Sequence, residues 1–327
     1  MTGIRQLFEE AVNQQRLFAD YDVCVMTAEQ AYQFQGGIHI NGGANLFDIA
    51  SLTKGLNHLL FLKLFSEGVF NPTDRFDQYL SVPNVGDRQL WNFLSYVVQG
   101  YAFDYEALKA GKGSFKDELL QTGFHYWGQS FKYDNISSAY LALLLEKHFG
   151  TGIQEIFSEH FGEDLLFHPV TRQQIDPLLC VPTQTNLQFR GRVHDPLSRA
   201  HESDNIAVAG VFATAETVCR VFHSQVRSLV AGGYYNFASR NWLADNGITG
   251  NNYALGFDLP FSESIQGLNV TNPLLFAGWT GCRVFFSPEI TICFLTNRVF
   301  CGDSVELRQG FSRFSWRVIR EICKQAL

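Results

Sequence analysis

The chain has 327 residues, of which 46% are hydrophobic and 17% charged, and its formal net charge is −7. A chain of this length and composition buries a large core, in one large domain or in two closely packed ones. Because the chain is acidic and has no long run of Lys or Arg, it lacks the electrostatic footprint of a protein that binds nucleic acid or an acidic membrane surface, and a small molecule is its expected partner.

The N-terminal stretch, the cysteines and the length of the apolar runs indicate where the protein is located. The N-terminal stretch "MTGIRQLFEEAVNQQRLFADYD" mixes apolar residues with Glu, Arg and Gln at helical spacing, which predicts an amphipathic helix rather than a secretion signal. The seven cysteines include no Cys-x-x-Cys pair, which indicates reduced and mostly buried thiols. No stretch reaches about 18 uninterrupted apolar residues. We therefore expect a cytoplasmic protein with no membrane span; the oligomeric state is not predicted.

Strand-like runs lie towards both ends of the sequence, with a largely helical region between them. An early pair of runs followed by a Gly-rich segment predicts a hairpin, and Pro288-Glu289 predicts a tight turn between the last two runs. Gly150 predicts the end of one of the helices. The predicted strands are "YDVCVMTA", "AYQFQG", "NNYALGFDL", "CRVFFSP" and "ITICFLTN". The predicted helices after the first are the one opening in "FDIASLTKGLNHLLFLKLFSEG", then "DRQLWNFLSYVV", "ISSAYLALLLEKHFG", "TAETVCRVFHSQVRSLV" and a last helix from about Ser304 to Gln325.

Ser51 and Lys54 stand at the head of the second predicted helix. Residues three apart share a helix face, so the Ser51 hydroxyl and the Lys54 ammonium can come within hydrogen-bond reach. A serine hydroxyl becomes a good nucleophile when a base removes its proton, and a lysine can act as that base when burial and a helix N-terminus disfavour its charged form. The structural alternative is that Ser51 is only a helix cap and that Lys54 extends to water. Ser-x-x-Lys alone is a weak motif, and both interpretations stay open on it.

The residues around this pair resemble a known family. "FDIASLTK" resembles the nucleophile segment of the serine beta-lactamase and penicillin-binding-protein superfamily, in particular its class C-like branch of esterases and D,D-peptidases. Further on, "YDN" resembles the family's Tyr-x-Asn motif, "GRVHDPLSRAHESDN" resembles its Gly-x-Val-His-Asp segment, and "SPEITICFLTNRV" resembles its closing strand pair. The similarity extends in order over roughly residues 20–325.

The resemblance implies a fold and a domain division. The implied class is α+β, with an antiparallel sheet flanked by N- and C-terminal helices beside an all-helical subdomain. Residues 1–67 and 205–327 would form the sheet subdomain, and residues 68–204 the helical one.

The resemblance also implies roles for individual residues. Ser51 would be the acylated nucleophile, Lys54 would help to remove its proton, and Tyr133 would act as general base and return a proton to the leaving group. A phenol ionises only near pH 10 in water, so Tyr133 needs the neighbouring charge of Lys54. Asn135 would hydrogen-bond Lys54 and the acyl group. From the residues alone, "YDN" is favoured as a solvent-exposed loop with an Asn or Asp N-cap ahead of the helix that begins "ISSAY". The oxyanion hole needs two backbone N–H groups, one of them from Ser51.

The family's third motif, Lys-Thr-Gly or His-Thr-Gly, has no clear counterpart. Aligned on Pro288-Glu289, Phe276, Ala277 and Gly278 occupy the motif, and Trp279 supplies the second N–H of the oxyanion hole. In the other alignment, which requires a deletion, the motif is Trp279-Thr280-Gly281. Neither alignment places Lys or His at the position that binds a substrate carboxylate in relatives. A neutral ester is therefore favoured as the substrate over a beta-lactam or a peptide.

Two interpretations of function follow. In the first, the chain is a serine hydrolase, most plausibly an esterase, that forms an acyl-enzyme on Ser51 with an ester or amide substrate. In the second, the degraded third motif indicates a catalytically idle protein that binds a ligand or partner in the cleft that corresponds to the family's active site.

His194 and Asp195 match the family's His-Asp pair. For this pair, a structural role in holding a long loop to the core is favoured over metal or acid-base chemistry. The histidines do not cluster at metal-ligand spacing, and no cofactor motif is present, so neither a metal nor a cofactor is expected.

Overall fold

The structure is a computed structural model that describes residues 2–40, 45–125, 130–169, 174–183, 190–297 and 304–327. Its helices are α1 (Thr2–Asn13), α2 (Leu52–Ser66), α3 (Leu90–Leu94), α4 (Tyr105–Lys109), α5 (Phe115–Thr122), α6 (Ile136–Phe149), α7 (Ile153–Phe161), α8 (Pro196–Ala200), α9 (Ala215–Ala231), α10 (Tyr235–Ala238), α11 (Trp242–Asp245), α12 (Ser262–Ile265) and α13 (Val305–Ala326). Its strands are β1 (Asp20–Thr27), β2 (Ala31–Gly37), β3 (Phe47–Asp48), β4 (Leu166–Phe167), β5 (Val211–Ala213), β6 (Leu274–Ala277), β7 (Arg283–Phe286) and β8 (Ile290–Thr296).

A five-stranded antiparallel sheet in the order β2-β1-β8-β7-β6 is the centre of the fold. Alternate residues of β1 face opposite sides of this sheet. Val23 and Val25 pack into a cluster with α1 and α13, whereas Cys24 packs against α9. The sheet is therefore covered by the terminal helices on one face and by α9 on the other, and the predicted α+β class is confirmed.

Helix α2 lies in the middle of the larger core. It contacts α9, α6 and the edge strand β6, and its residues from Leu52 to Leu62 are all buried. A helix that is apolar on every side is expected at such a central position. The same burial brings its N-terminus, with Ser51, to the edge of the main sheet. The proposed boundaries between the two subdomains stay a prediction.

Two predicted elements differ from the structure. The run at residues 251–259 is not a strand; it makes only isolated bridges, because Gly256, with a φ of 83°, turns the chain back at a point where a Cβ would lie 2.7 Å from that of His58. The helix predicted in "DRQLWNFLSYVV" ends at Leu94, and Tyr96 has a φ of 53°. Both segments are apolar because they are buried, and burial alone does not distinguish a helix or strand from a packed loop.

The predicted thiols are confirmed where the structure describes them. Six cysteines are free and buried, and Cys301 lies outside the described residues. Within the described ranges, no helix combines the length and the hydropathy that a membrane span requires.

Candidate active site

The backbone just before α2 has an unusual conformation that presents Ser51. Ala50 has a φ of 51°, in the left-handed region that L-residues rarely adopt. The Ala50 N–H donates to Asp48 Oδ1 at 2.9 Å, which holds the turn. Ser51 itself then has helical angles, and its side chain makes no capping hydrogen bond. The Ser51 hydroxyl is therefore available for another partner.

That partner is Lys54, whose Nζ donates to Ser51 Oγ at 2.9 Å. Lys54 is only 1% exposed, so it does not extend to water. Both parts of the structural alternative, a capping serine and a solvated lysine, are therefore wrong. Among the described residues, no carboxylate lies within ion-pair distance of Lys54. Its Nζ lies 5.3 Å from the ring centroid of Tyr133, a cation–π distance.

Tyr133 lies beside the pair without a hydrogen bond to it. Its side chain is 45% exposed, and its ring packs on that of Tyr96 with the centroids 4.7 Å apart. In the family mechanism the hydroxyls and the ammonium should lie about 3 Å from one another. The separation of Ser51 Oγ and Lys54 Nζ meets this expectation, whereas no hydrogen bond joins the Tyr133 hydroxyl to either group in the described part of the chain.

Asn135 has a different partner from the expected one. It directly precedes α6, and its Nδ2 donates to the Tyr105 hydroxyl at 3.0 Å. No hydrogen bond joins it to Lys54 among the described residues. The loop is held by Asp134, which accepts hydrogen bonds from Ser137 N at 2.7 Å and from the Tyr101 hydroxyl at 2.8 Å, as the sequence allows for an Asp cap ahead of this helix. Burial raises the pKa of Asp134.

The end of β6 approaches the start of α2 closely. A Cβ on Gly278 would lie 2.8 Å from the Ile49 carbonyl oxygen and 3.4 Å from Ser51 N, so only glycine fits there without displacing the backbone. The Thr280 hydroxyl donates to the Asp48 carbonyl oxygen at 3.0 Å. Trp279 lies between these two anchored residues and is 46% exposed.

Phe276 is buried under α2. Its ring meets that of His58 edge-on, with the centroids 5.6 Å apart. His58 Nδ1 bonds the Gly256 carbonyl oxygen at 2.8 Å. Burial, aided by the charge of Lys54, lowers the pKa of His58 to about 3, so this imidazole is neutral. Neither residue supplies a positive charge to the site.

Asp48 and His194 form a buried ion pair, which the sequence analysis does not predict. Asp48 Oδ2 accepts hydrogen bonds from His194 Nδ1 at 2.8 Å and from His194 N at 3.0 Å. Burial acts against both charges, but the partner's charge and these hydrogen bonds prevail: the pKa of Asp48 is lowered and that of His194 is raised. Asp195 caps α8 by accepting a hydrogen bond from Ser198 N at 2.8 Å. The pair thus ties the loop before α8 to the turn that presents Ser51.

Replacing His194 by Asn is expected to destabilise the fold by about 3 kcal/mol near pH 6, because it leaves a buried carboxylate without its counter-charge. Since folding raises the pKa of His194, the stabilisation is full below its unfolded value of about 6.5 and is lost as the pH rises through the folded value. Since folding lowers the pKa of Asp48, the stabilisation is also lost in acid, below about pH 4.

Urea unfolding of wild type and variant from about pH 5 to pH 9 measures this difference. A matched control is Asp164→Asn, which breaks the exposed pair with Arg220 and should cost less than about 1 kcal/mol. A difference between wild type and His194→Asn that does not shrink at high pH would contradict the ion pair.

No group of three or more His, Cys, Asp or Glu side chains with metal-binding geometry occurs in the described part of the chain.

A family model described as Beta-lactamase matches residues 4–304. The chain belongs to the beta-lactamase family. None of the curated proteins matches the sequence.

Solved structures similar to this beta-lactamase family member agree with it over nearly the whole chain. A family VIII carboxylesterase is 13% identical, with 97% of each chain covered and a TM-score of 0.71. A mutant of simvastatin synthase from Aspergillus terreus is 14% identical over 98% of this chain and 95% of its own, with a TM-score of 0.71. A class C beta-lactamase is 14% identical, with 98% of each chain covered and a TM-score of 0.66. At these identities the likeness concerns the fold.

Proposed function

We propose that this beta-lactamase family member is a serine esterase that forms an acyl-enzyme on Ser51. The observation that carries the proposal is the hydrogen bond of 2.9 Å between the uncapped Ser51 hydroxyl and the buried Lys54 ammonium. An ammonium without a carboxylate partner stabilises negative charge on the oxygen that it touches, which is the charge that develops as Ser51 loses its proton.

The reaction would proceed in two steps. Ser51 Oγ attacks the ester carbonyl carbon, Tyr133, aided by the positive charge of Lys54, takes its proton as general base and returns it to the departing alkoxide, and the alcohol leaves. Water then attacks the acyl carbonyl carbon, and the carboxylic acid and free Ser51 result. The N–H groups of Ser51 and Trp279 would bind the carbonyl oxygen as it becomes negative. The closeness of Gly278 to Ser51 N supports this assignment, and with it the alignment that places Phe276 and Gly278 at the third motif.

The surroundings of Ser51 favour a neutral ester. Phe276 is apolar and His58 is neutral, so neither can grip a carboxylate in the way that a Lys or His at the third motif would. The half-exposed rings of Tyr133 and Trp279 offer apolar contact to an acyl or alcohol group. The likeness of the fold to a structure titled a family VIII carboxylesterase is compatible with this substrate class.

One observation favours a second candidate, a protein that binds a ligand in the same cleft without turning it over. The Tyr133 hydroxyl is not hydrogen-bonded to Ser51 or Lys54 among the described residues, so the general base is not engaged with the nucleophile. Catalytic hydrogen bonds are often long in a free enzyme and tighten when substrate binds. A reactivity measurement therefore separates the two functions.

Short-chain p-nitrophenyl esters are expected to be hydrolysed by the wild type, whereas nitrocefin, whose carboxylate finds no cation at the third motif, is not. Release of p-nitrophenol and of opened nitrocefin can be followed by absorbance, and prior treatment with a fluorophosphonate should abolish the ester activity. Turnover of nitrocefin at a rate comparable with the esters would contradict the substrate assignment. Absence of both activities, together with no fluorophosphonate adduct, would favour the idle protein.

A further inference from the structure

A second cavity lies beside β6, apart from Ser51. It has a volume of about 370 Å³ and is lined by apolar and aromatic side chains, by the polar side chains of Asn251 and Asn252, and by one carboxylate, that of Asp258. Its volume is within the range of small-molecule sites. Leu275, which also lines it, is three residues before Gly278, so the cavity lies roughly 10 Å along the strand from the candidate active site.

The backbone of Asp258 is held firmly at this cavity. Asp258 N donates to the Leu275 carbonyl oxygen and Leu275 N donates to that of Asp258, both at 3.0 Å. These bonds extend the edge of the main sheet by one residue and put the Asp258 side chain on the same face as that of Leu275. That face is the one covered by α13, and Trp316 of α13 is part of the cavity wall.

The carboxylate of Asp258 has no hydrogen-bond or ion-pair partner among the described residues. The charge of Arg283 acts on Asp258, but no ion pair joins the two among the described residues, and the guanidinium lies over the ring of Phe311, 5.4 Å from the centroid. Burial raises the pKa of Asp258 to about 6, with the charge of Arg283 acting in the opposite direction. The Asp258 side chain is only partly exposed and its carboxylate faces the cavity without a partner, so a ligand that supplies a positive charge there would stabilise the charged form.

Aromatic rings complete the surroundings of this carboxylate. Phe131 and Tyr253 line the cavity with their ring centroids 5.2 Å apart, and Trp316 and the exposed Phe261 line it as well. The faces of aromatic rings attract cations, and rings combined with a carboxylate are the usual way to bind an alkylated ammonium group. A hard metal ion is less suited to these walls, because Mg²⁺ and Ca²⁺ require about six oxygen ligands.

We propose that this cavity is a binding site for a small organic cation, with its quaternary or alkylated ammonium group against Asp258 and its alkyl groups on Phe131, Tyr253 and Trp316. The site is separate from the chemistry of Ser51 and does not depend on it. It uses the edge of the main sheet and the loop of Tyr133 only as walls.

Choline and its neutral isostere 3,3-dimethylbutan-1-ol, which has carbon in place of the charged nitrogen, test the proposal on the wild type. Titration calorimetry and intrinsic tryptophan fluorescence at about pH 8, where the carboxylate is ionised, should detect choline binding at micromolar to millimolar concentration. The isostere should bind at least about tenfold more weakly, because it fills the same space without the charge.

Asp258→Asn is expected to weaken choline binding by at least about tenfold, and Asp164→Asn, which changes an exposed carboxylate elsewhere, should leave it unchanged. The variant should unfold at a temperature equal to or above that of the wild type, because burial penalises only the charged carboxylate. Equal affinity for choline and the isostere would show that the cavity is only an apolar pocket and would overturn the proposal. Absence of choline binding by the wild type, or undiminished binding by Asp258→Asn, would also overturn it.

Discussion

Replacement of Ser51 by alanine is expected to lower kcat/KM for p-nitrophenyl esters by about 10⁵-fold and to abolish labelling by a fluorophosphonate. The variant removes the oxygen that is proposed to form the acyl-enzyme, while the Lys54 ammonium and the N–H groups near Gly278 stay in place. The small residual rate would come from direct attack of water on an ester held against these groups. Steady-state kinetics and intact-mass analysis after labelling measure the two effects.

The same helix offers a matched control for this variant. Ser66 lies at the other end of α2, where its hydroxyl donates to the Lys63 carbonyl oxygen at 2.7 Å. Ser66→Ala should therefore keep wild-type kinetics and labelling. Full labelling of Ser51→Ala would place the nucleophile elsewhere and remove the proposed mechanism. Failure of the wild type to react with the probe would favour the idle protein instead.

Replacement of Lys54 by methionine is expected to lower kcat/KM by about 10³-fold, since positioned proton transfer contributes about 10²- to 10⁴-fold in enzymes. Methionine has nearly the same length and can occupy the same buried space, so the cavity left behind is small. Because the ammonium is buried without a carboxylate partner, its removal should leave the melting temperature equal or higher. Lower activity with undiminished stability would identify a functional rather than a structural lysine.

Lys63→Met is the control for charge and helix position. Lys63 lies on the same helix and makes an exposed pair with Glu67 at 2.7 Å, so its loss should change stability by less than about 1 kcal/mol and activity by less than about twofold. Thermal unfolding and ester kinetics of both variants, measured together, give the comparison. A Lys54→Met enzyme with full esterase activity would contradict the role of Lys54.

The accuracy of the sequence predictions depends on how local the underlying interaction is. The pairing of Ser51 with Lys54 follows from the spacing of three residues on a helix, and the structure has them in contact. The hairpin turn at Pro288-Glu289 and the helix closed by Gly150 are likewise present, because turn and cap residues act on their own backbone. The prediction of a strand at residues 251–259 is wrong, because the chain turns back at Gly256 beside His58 of α2 and only Asp258 pairs with the main sheet.

The sequence by itself determined the terminal helices, most of the main strands and the head of α2 with its serine and lysine, since each depends on periodicity or on neighbours within one turn of the chain. Tertiary structure alone decided that Asp48 meets His194, that Gly278 lies against Ser51, and that the carboxylate of Asp258 faces a cavity lined by aromatic rings. These contacts join residues far apart in the chain, and no local pattern encodes which distant side chain will be the partner. The packing of whole helices and strands on one another determines which distant side chain becomes the partner.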